Sequence, residues 1–378
     1  MYRNDLFKKV TTVIRALTTR KLTLTCDAIP YHFSRVPLRK IVNWIAVEMS
    51  LFVKPDRPWG WPTRLQIEPS TFCNLRCAIC PVTEGMARKT EHMELSTFKK
   101  IIDETGDYVF LIFLWDWGEP FLNPKIYDMI KYAKSRNIKI VSSTNGHIFT
   151  ADKHAERLIS SGIDTIIFAI DGITQETYAR YRGGGQLEQV LSGLRKVVAA
   201  KQKAKSDGPL INFRFLVTRQ NEHELADLPR FAQSYGVDSL TIKTLNPYCS
   251  GIDMLDERAW DFIPESEQFR RFRYPAPDRL PGRRIGNPCR NPWFNPTIHC
   301  DGTICPCTFD TDGSMIFGDI NKASFQEIWH DRPYRSFRRQ FRKDYQAIKL
   351  CSDCSLAFGG GFCGVETIAE TYFFKSRK

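Results

Sequence analysis

No stretch of the 378-residue chain is both apolar enough and long enough to cross a bilayer; the best, residues 38–53, is interrupted by Arg39, Lys40 and Glu48. Residues 1–10 carry Arg3, Asp5, Lys8 and Lys9 and are too polar for the apolar core of a secretory signal. There is no internal repeat and no low-complexity tract. Acid is the scarcer charge: 42 Asp and Glu stand against 54 Lys and Arg, giving +12. That surplus suits an anionic partner such as phosphate, a lipid headgroup or nucleic acid, without choosing among them. Hydrophobic residues make up 42%, which excludes a wholly disordered chain. Cysteine is what the chain does have, 12 in all and clustered. In the reducing cytoplasm expected here, clustered thiols read first as metal ligands and not as a disulfide scaffold.

Much of the positive charge is local. Residues 1–60 hold 11 Lys or Arg against 4 Asp or Glu, a surplus of +7. A basic, Trp-containing amphipathic extension has two readings: a helix packed on the main domain, or a peripheral contact with an anionic membrane surface.

From Trp61 onward a repeating pattern appears. Short β-branched or aromatic runs at 64–68, 108–115, 138–142, 163–170, 210–217 and 237–243 read as strands. Helix-period segments at 95–104, 125–135, 152–161, 186–205 and 222–235 lie between them. Alternation of this kind predicts a parallel sheet with right-handed crossovers, an α/β partial barrel of six units over 61–245 with its chemistry at the C-terminal strand ends. Residues 246–284, rich in Pro and Arg, read as a wrapping linker, and 285–378 as a second, cysteine-dense unit. Within that unit Asp301-Gly302 sits between apolar residues, a hairpin signal.

Cys73, Cys77 and Cys80 fall in the loop after the first barrel strand. Three thiolates within eight residues can curl around one centre, and soft sulfur favours zinc or an iron–sulfur cluster. A structural zinc site wants a fourth protein ligand, whereas a cubane held by three cysteines leaves one iron open for a small molecule.

With this CxxxCxxC loop the chain resembles the radical S-adenosylmethionine (SAM) enzymes, and the resemblance covers residues 64–245. Trp117-Gly118-Glu119-Pro120 is similar to the family's GGEP motif, which holds the SAM amino group, with Trp in place of the first glycine. Thr144 and Asn145 follow the third strand, Asp171 the fourth, and Arg182 lies in a stretch that in relatives reaches toward the SAM carboxylate or ribose. Ile79 would pack near the adenine. The resemblance implies a [4Fe-4S] cluster on Cys73, Cys77 and Cys80, SAM on its open iron, and a reducing flavodoxin- or ferredoxin-type electron donor. It also implies reductive cleavage of SAM and removal of a hydrogen atom from a substrate C–H bond.

The second cysteine region resembles the family's C-terminal extensions, SPASM and its shortened twitch form. Cys289 and Cys307, spaced around Gly302, and the pair Cys351 and Cys354 would close around one auxiliary [4Fe-4S] cluster. The further cysteine ladder of a full SPASM domain is absent from the sequence, so one auxiliary cluster is expected. The fold expected is therefore a partial (β/α)6 barrel with a small C-terminal auxiliary [4Fe-4S] cluster domain. Four paired cysteines suit zinc geometrically as well, and Cys305 is an alternative ligand to Cys307.

Three other features carry weaker signals. Cys249 could donate a hydrogen atom, as lone cysteines of radical epimerases do; the plain alternative is a small apolar residue. Cys363, in a glycine-rich tail, could be ligand, donor or filler, and His147 reads as a loop histidine. The run Arg332–Lys343 interleaves arginine with aromatics; a solvated face is expected there and a nucleic-acid partner is not.

The resulting expectation is a radical SAM enzyme that oxidises or epimerises a small sugar, polyol or lipid-linked metabolite. Its alternatives are a maturase of a ribosomally made peptide and a non-catalytic iron–sulfur or zinc protein.

Overall fold

Six short apolar strands, each too narrow to bury both faces alone, are laid side by side by the helices between them. The computed structural model describes residues 2–246, 257–274, 282–358 and 368–374. The parallel strands are β3 (Arg64–Ile67), β4 (Leu111–Phe113), β5 (Lys139–Thr144), β6 (Thr165–Ala169), β7 (Leu210–Val217) and β8 (Ser239–Thr244), paired in chain order. Helices Leu95–Thr105, Ile126–Ser135, Asp152–Ser161 and Leu187–Lys203 pack their apolar faces on the outside of this partial barrel. The strand expected over 108–115 is shorter, because Tyr108 and Val109 still donate to Thr105 O at the end of the preceding helix. The helix expected over 222–235 is split into a short turn, Glu222–Glu224, and Leu228–Ser234, with Pro229 at the start of the second piece.

The sheet does not stop at six strands. The Asp301-Gly302 turn joins β9 (Thr297–Ile298) to β10 (Thr303–Cys305) as an antiparallel hairpin, and β11 (Gly318–Asp319) follows. β9 pairs parallel with β3, and β12 (Ile368–Phe373) pairs antiparallel with β8. One ten-stranded sheet therefore runs from the cysteine-dense C-terminal unit through the barrel.

Residues 2–53 form a helix–hairpin–helix unit: α1 (Tyr2–Thr19), β1 (Leu22–Cys26), β2 (Ile29–Phe33) and α2 (Leu38–Val53). Asp27 and Ala28 both take positive φ, 54° and 58°, the backbone of a tight two-residue hairpin turn. The hairpin enters the barrel from the N-terminal ends of the strands. Leu22, Ile29, Tyr31 and Phe33 pack on Phe113, Val141 and Ile167, and the Tyr31 hydroxyl lies 3.2 Å from Thr165 Oγ1. At the tip, Asp27 pairs with Arg214 and, at 3.1 Å, with Lys243. The extension is thus the floor of the barrel, and α2 buries Ile41, Trp44 and Val47 against it.

The described parts of 246–284 are packed, not merely draped: Ala259 and Ile263 close a small apolar cluster with Ile79 and Leu245. The Arg332–Lys343 helix turns Tyr334, Phe337 and Phe341 into the core. Arg338 is fully buried, stacked on Tyr334 and Trp329 and donating to the carbonyls of Pro292 and Trp329 at 2.8 and 2.9 Å. Arg339 and Arg342 reach Asp56.

Candidate active site

The loop after β3 is fixed at several points. Arg76 N–H donates to Gly183 O at 2.8 Å and Ala78 N–H to Tyr181 O at 2.9 Å, zipping it to the segment that bears Arg182. Leu75 and Ile79 turn inward between the cysteines. Cys77 is buried, while Cys73 and Cys80 are half-buried. Burial, followed by the neighbouring Cys77 sulfur, pushes the Cys80 thiol up to about 12, and burial also raises Cys73. Cys73 and Cys80, desolvated thiols beside the Cys77 sulfur, belong to a donor set that a bound cation relieves, since coordination removes the protons. Among the described residues no three acidic, histidine or cysteine side chains close on a single point as around one metal ion. The corners of a cubane stand further apart than the ligands of one ion.

Glu119 ends the turn after β4 and is wholly inside the protein. It accepts from Asn145 N–H at 2.7 Å, the Thr144 hydroxyl at 2.9 Å and Phe121 N–H at 3.1 Å. Burial pushes its carboxyl up to about 7, against these three donors, which favour the carboxylate. A cationic ammonium group is the partner that would complete such a site. Gly118 before it has φ +90°, and a Cβ there would lie 2.4 Å from Ser70 O, so only glycine fits this close approach to the cysteine loop. Pro120 begins the short turn that follows.

Asn145 reaches back to the loop, donating to Asn74 Oδ1 at 2.7 Å with Cys73 Sγ 4.0 Å away. Asp171 holds Arg182 Nε at 2.6 Å and accepts from Leu216 N–H at 2.8 Å; Arg182 Nη1 is then 3.7 Å from Cys77 Sγ. Gly118, Glu119, Pro120, Thr144, Asn145, Asp171 and Arg182 thus gather around the three cysteines. His147 is held in its loop, its Nε2 accepting from Gln186 N–H at 3.0 Å.

A second set of thiols lies across the strand ends. Burial pushes Cys289 up to about 12, with Cys354 the next cause, and raises Cys307, with Cys354, Cys289 and Cys351 the next causes. Cys351 is raised by burial and then by Cys289 and Cys354. These four therefore share one neighbourhood, and Lys54 from the end of α2 borders it. Cys305 is the last of the causes acting on Cys307, and its sulfur lies 3.3 Å from His299 Nε2 and 3.4 Å from Cys307 O. Cys300 lies beside Glu68, whose carboxylate accepts from its N–H at 3.1 Å. Cys249 and Cys363 fall outside the described residues.

The sequence profile of the radical SAM superfamily matches residues 67–232, and that of the iron–sulfur cluster-binding SPASM domain matches residues 289–355. The chain carries a radical SAM domain followed by a SPASM domain. This radical SAM protein is 24% identical over 323 residues to the tungsten-containing aldehyde ferredoxin oxidoreductase cofactor-modifying protein of Pyrococcus furiosus, covering 77% of this chain and 87% of that one. It is 27% identical to the mycofactocin maturase MftC of Mycolicibacterium smegmatis, covering 79% and 77%. With the AdoMet-dependent heme synthase of Nitratidesulfovibrio vulgaris it shares 26%, over 76% and 83%. Streptococcus suis SuiB, solved with S-adenosylmethionine, has the same fold at TM-score 0.61 and 16% identity, covering 95% of this chain and 83% of that one. The radical SAM and SPASM domains bring with them SAM and [4Fe-4S] clusters as cofactors.

Several residues with a place at the site carry no motif. A cavity of about 310 Å³ lies inside the barrel, apart from Glu119 and Asn145. Its floor is Asp27, its walls include Trp115 and Arg214, and Asp116 and Thr308 line it as well. Asp116 Oδ1 accepts from the Thr308 hydroxyl, whereas Oδ2 is sealed from solvent and has no hydrogen-bond partner among the described residues. Burial and then the Glu68 carboxylate hold Asp116 well above the ordinary carboxylate range. Its signal in the sequence was position alone, two residues before Gly118.

Proposed function

We propose that this radical SAM enzyme oxidises a small hydroxyl-bearing metabolite, a sugar, a polyol or the head of a lipid-linked compound, inside the barrel cavity. Cys73, Cys77 and Cys80 would hold the SAM-binding cluster, and Cys289, Cys307, Cys351 and Cys354 one auxiliary cluster. Glu119 would receive the SAM ammonium, with Thr144, Asn145, Asp171 and Arg182 orienting the rest of the nucleotide. When bound, the cofactors supply a 5′-deoxyadenosyl radical that removes a hydrogen atom and a second cluster able to accept an electron.

The observation that carries this reading is the cavity's place. On one side it meets Trp117, next to Gly118 and Glu119; on the other it meets Thr308, next to Cys307. At about 310 Å³ it is at the small end of ligand pockets and enclosed by its hairpin floor. Asp116 Oδ2 and Thr244 Oγ1 are buried polar atoms on its lining that a substrate hydroxyl would meet, because a buried polar atom without a partner is costly. The hairpin floor closes the cavity on one side, which would help to keep water from a reactive carbon.

The test is anaerobic turnover of the reduced enzyme with a panel of deuterated sugars and polyols. Deuterium appearing in 5′-deoxyadenosine, with a product two hydrogens lighter than substrate, supports oxidation. A product of unchanged mass and inverted configuration supports epimerisation, and loss of that product in Cys249→Ala would make Cys249 the hydrogen donor.

A second reading is favoured by the relatives. MftC is named a maturase, and SuiB has been solved bound to its precursor peptide SuiA. Deuterium transfer from a labelled peptide, and none from the polyol panel, would move the assignment to peptide maturation.

A further inference from the structure

Helix α2 is apolar on two opposite faces. Ile41, Trp44 and Val47 are buried against the barrel, while Leu38, Val42, Met49, Phe52 and Val53 form a stripe at helical spacing on the outside. Phe52 is 88% exposed and Val42 53%. Helix α1, which is in contact with α2, carries a second outward stripe of Val10, Ile14 and Leu17. Trp59, just beyond α2, is exposed as well. Of the fourteen large hydrophobic side chains exposed among the described residues, nine lie between residues 10 and 59, so this face is set apart from the rest of the surface. A helix with apolar stripes on two faces calls for an apolar setting on both, and the protein supplies only one.

The charge around the stripes selects the cover. Arg15, Lys21, Arg35 and Arg57 are exposed on the same unit, and residues 1–60 carry a surplus of +7. A second copy of the chain would bring the same surplus against it, which opposes self-association through this face. An anionic bilayer offers both an apolar layer and the opposite charge. Among the described residues no helix is long and apolar enough to cross a membrane, so the geometry is one of lying on the surface with Trp59 at headgroup depth.

We propose that the outer faces of α1 and α2 dock this enzyme on an anionic lipid surface. The proposal rests on the exterior of the N-terminal unit and is independent of which substrate the cavity takes.

The test uses the full-length, cluster-loaded enzyme and vesicles of equal parts phosphatidylglycerol and phosphatidylcholine, with vesicles of phosphatidylcholine alone beside them. Truncation of residues 1–60 is unsuitable, because Asp27 belongs to the barrel floor. The double variant V42D/F52D alters only exposed positions, and equal thermal melting and equal iron content show that it is folded. The expected result is sedimentation with the anionic vesicles, weaker sedimentation with the neutral ones, and a loss of affinity of about tenfold or more in V42D/F52D. R35E/R57E should lower binding to anionic vesicles by about tenfold and leave the neutral ones unaffected. No binding by wild type, or equal binding by wild type and V42D/F52D, overturns the proposal. So does a dimer in light scattering that V42D/F52D dissolves, since the cover would then be a second copy.

Discussion

Trp117 Nε1 donates to the carbonyl oxygen of Thr308 at 2.8 Å, joining the turn that carries Gly118 and Glu119 to the residue beside Cys307. The Thr308 side chain adds a second tie by donating to Asp116. Two segments 191 residues apart in sequence are thereby held as one wall of the cavity. Removing the first tie with Trp117→Phe should cost about 1 kcal/mol of stability. Thr308→Val leaves Asp116 without its remaining partner and should cost about 1–3 kcal/mol. Chemical denaturation of the loaded protein checks both, and two variants as stable as wild type would show that the wall is not joined this way.

Glu119 supplies a pH dependence. Its carboxyl, ordinarily near 4.5, is pushed up to about 7 by burial. A raised carboxyl is held protonated in the fold, so this group costs stability progressively as pH climbs from 4.5 to about 7 in protein free of SAM. A cationic ammonium prefers the ionised form, so SAM affinity should rise with pH through about 7 and then level off. Glu119→Gln should abolish the rise and weaken binding by about tenfold or more, as expected for a hydrogen bond to a charged group. Calorimetric titration of SAM across pH reads both effects.

The two candidate cysteines of the hairpin region separate by iron content. After burial, Cys307 is raised by Cys354, Cys289 and Cys351 and least by Cys305, whose sulfur rests on His299. Anaerobic reconstitution should give about eight irons per wild-type chain, about four in Cys307→Ser and about eight in Cys305→Ser. The opposite pattern would make Cys305 the ligand.

Asp27 neutralises two cations that the barrel has drawn inside, Arg214 and Lys243. In Asp27→Asn both lose this carboxylate from their surroundings. Stability should fall by roughly 3 kcal/mol, the usual consequence of removing one partner of a buried pair. Urea unfolding measures it, and a change within about 0.5 kcal/mol would place the hairpin outside the structural core.

Much of the barrel was legible because many of its strands and helices state their own period: Leu210–Val217 and Asp152–Ser161 begin and end where the pattern does. The residues of the first site were legible because Cys73, Cys77, Cys80, Gly118 and Glu119 occur in fixed local spacings. Long-range pairing leaves no such trace. Nothing around Thr297 announces that β9 will pair with β3, more than two hundred residues earlier, or that β12 will cap β8. Asp27 lies in an extension whose visible feature was amphipathicity, and its partners Arg214 and Lys243 are each the single charge in their strand. A charged side chain in mid-strand was the available signal, since such a group must find a partner or a ligand when the strand is enclosed. Asp116 was hidden for the same reason. Its meaning comes from Thr308, which only the folded chain brings near.

The most direct measurement is 5′-deoxyadenosine formation from SAM by anaerobic, dithionite-reduced protein, comparing wild type with the variant in which Cys73, Cys77 and Cys80 are all alanine. The account predicts steady formation by wild type and none by the variant, while iron bound at Cys289, Cys307, Cys351 and Cys354 persists in both. Undiminished 5′-deoxyadenosine from the variant would contradict it.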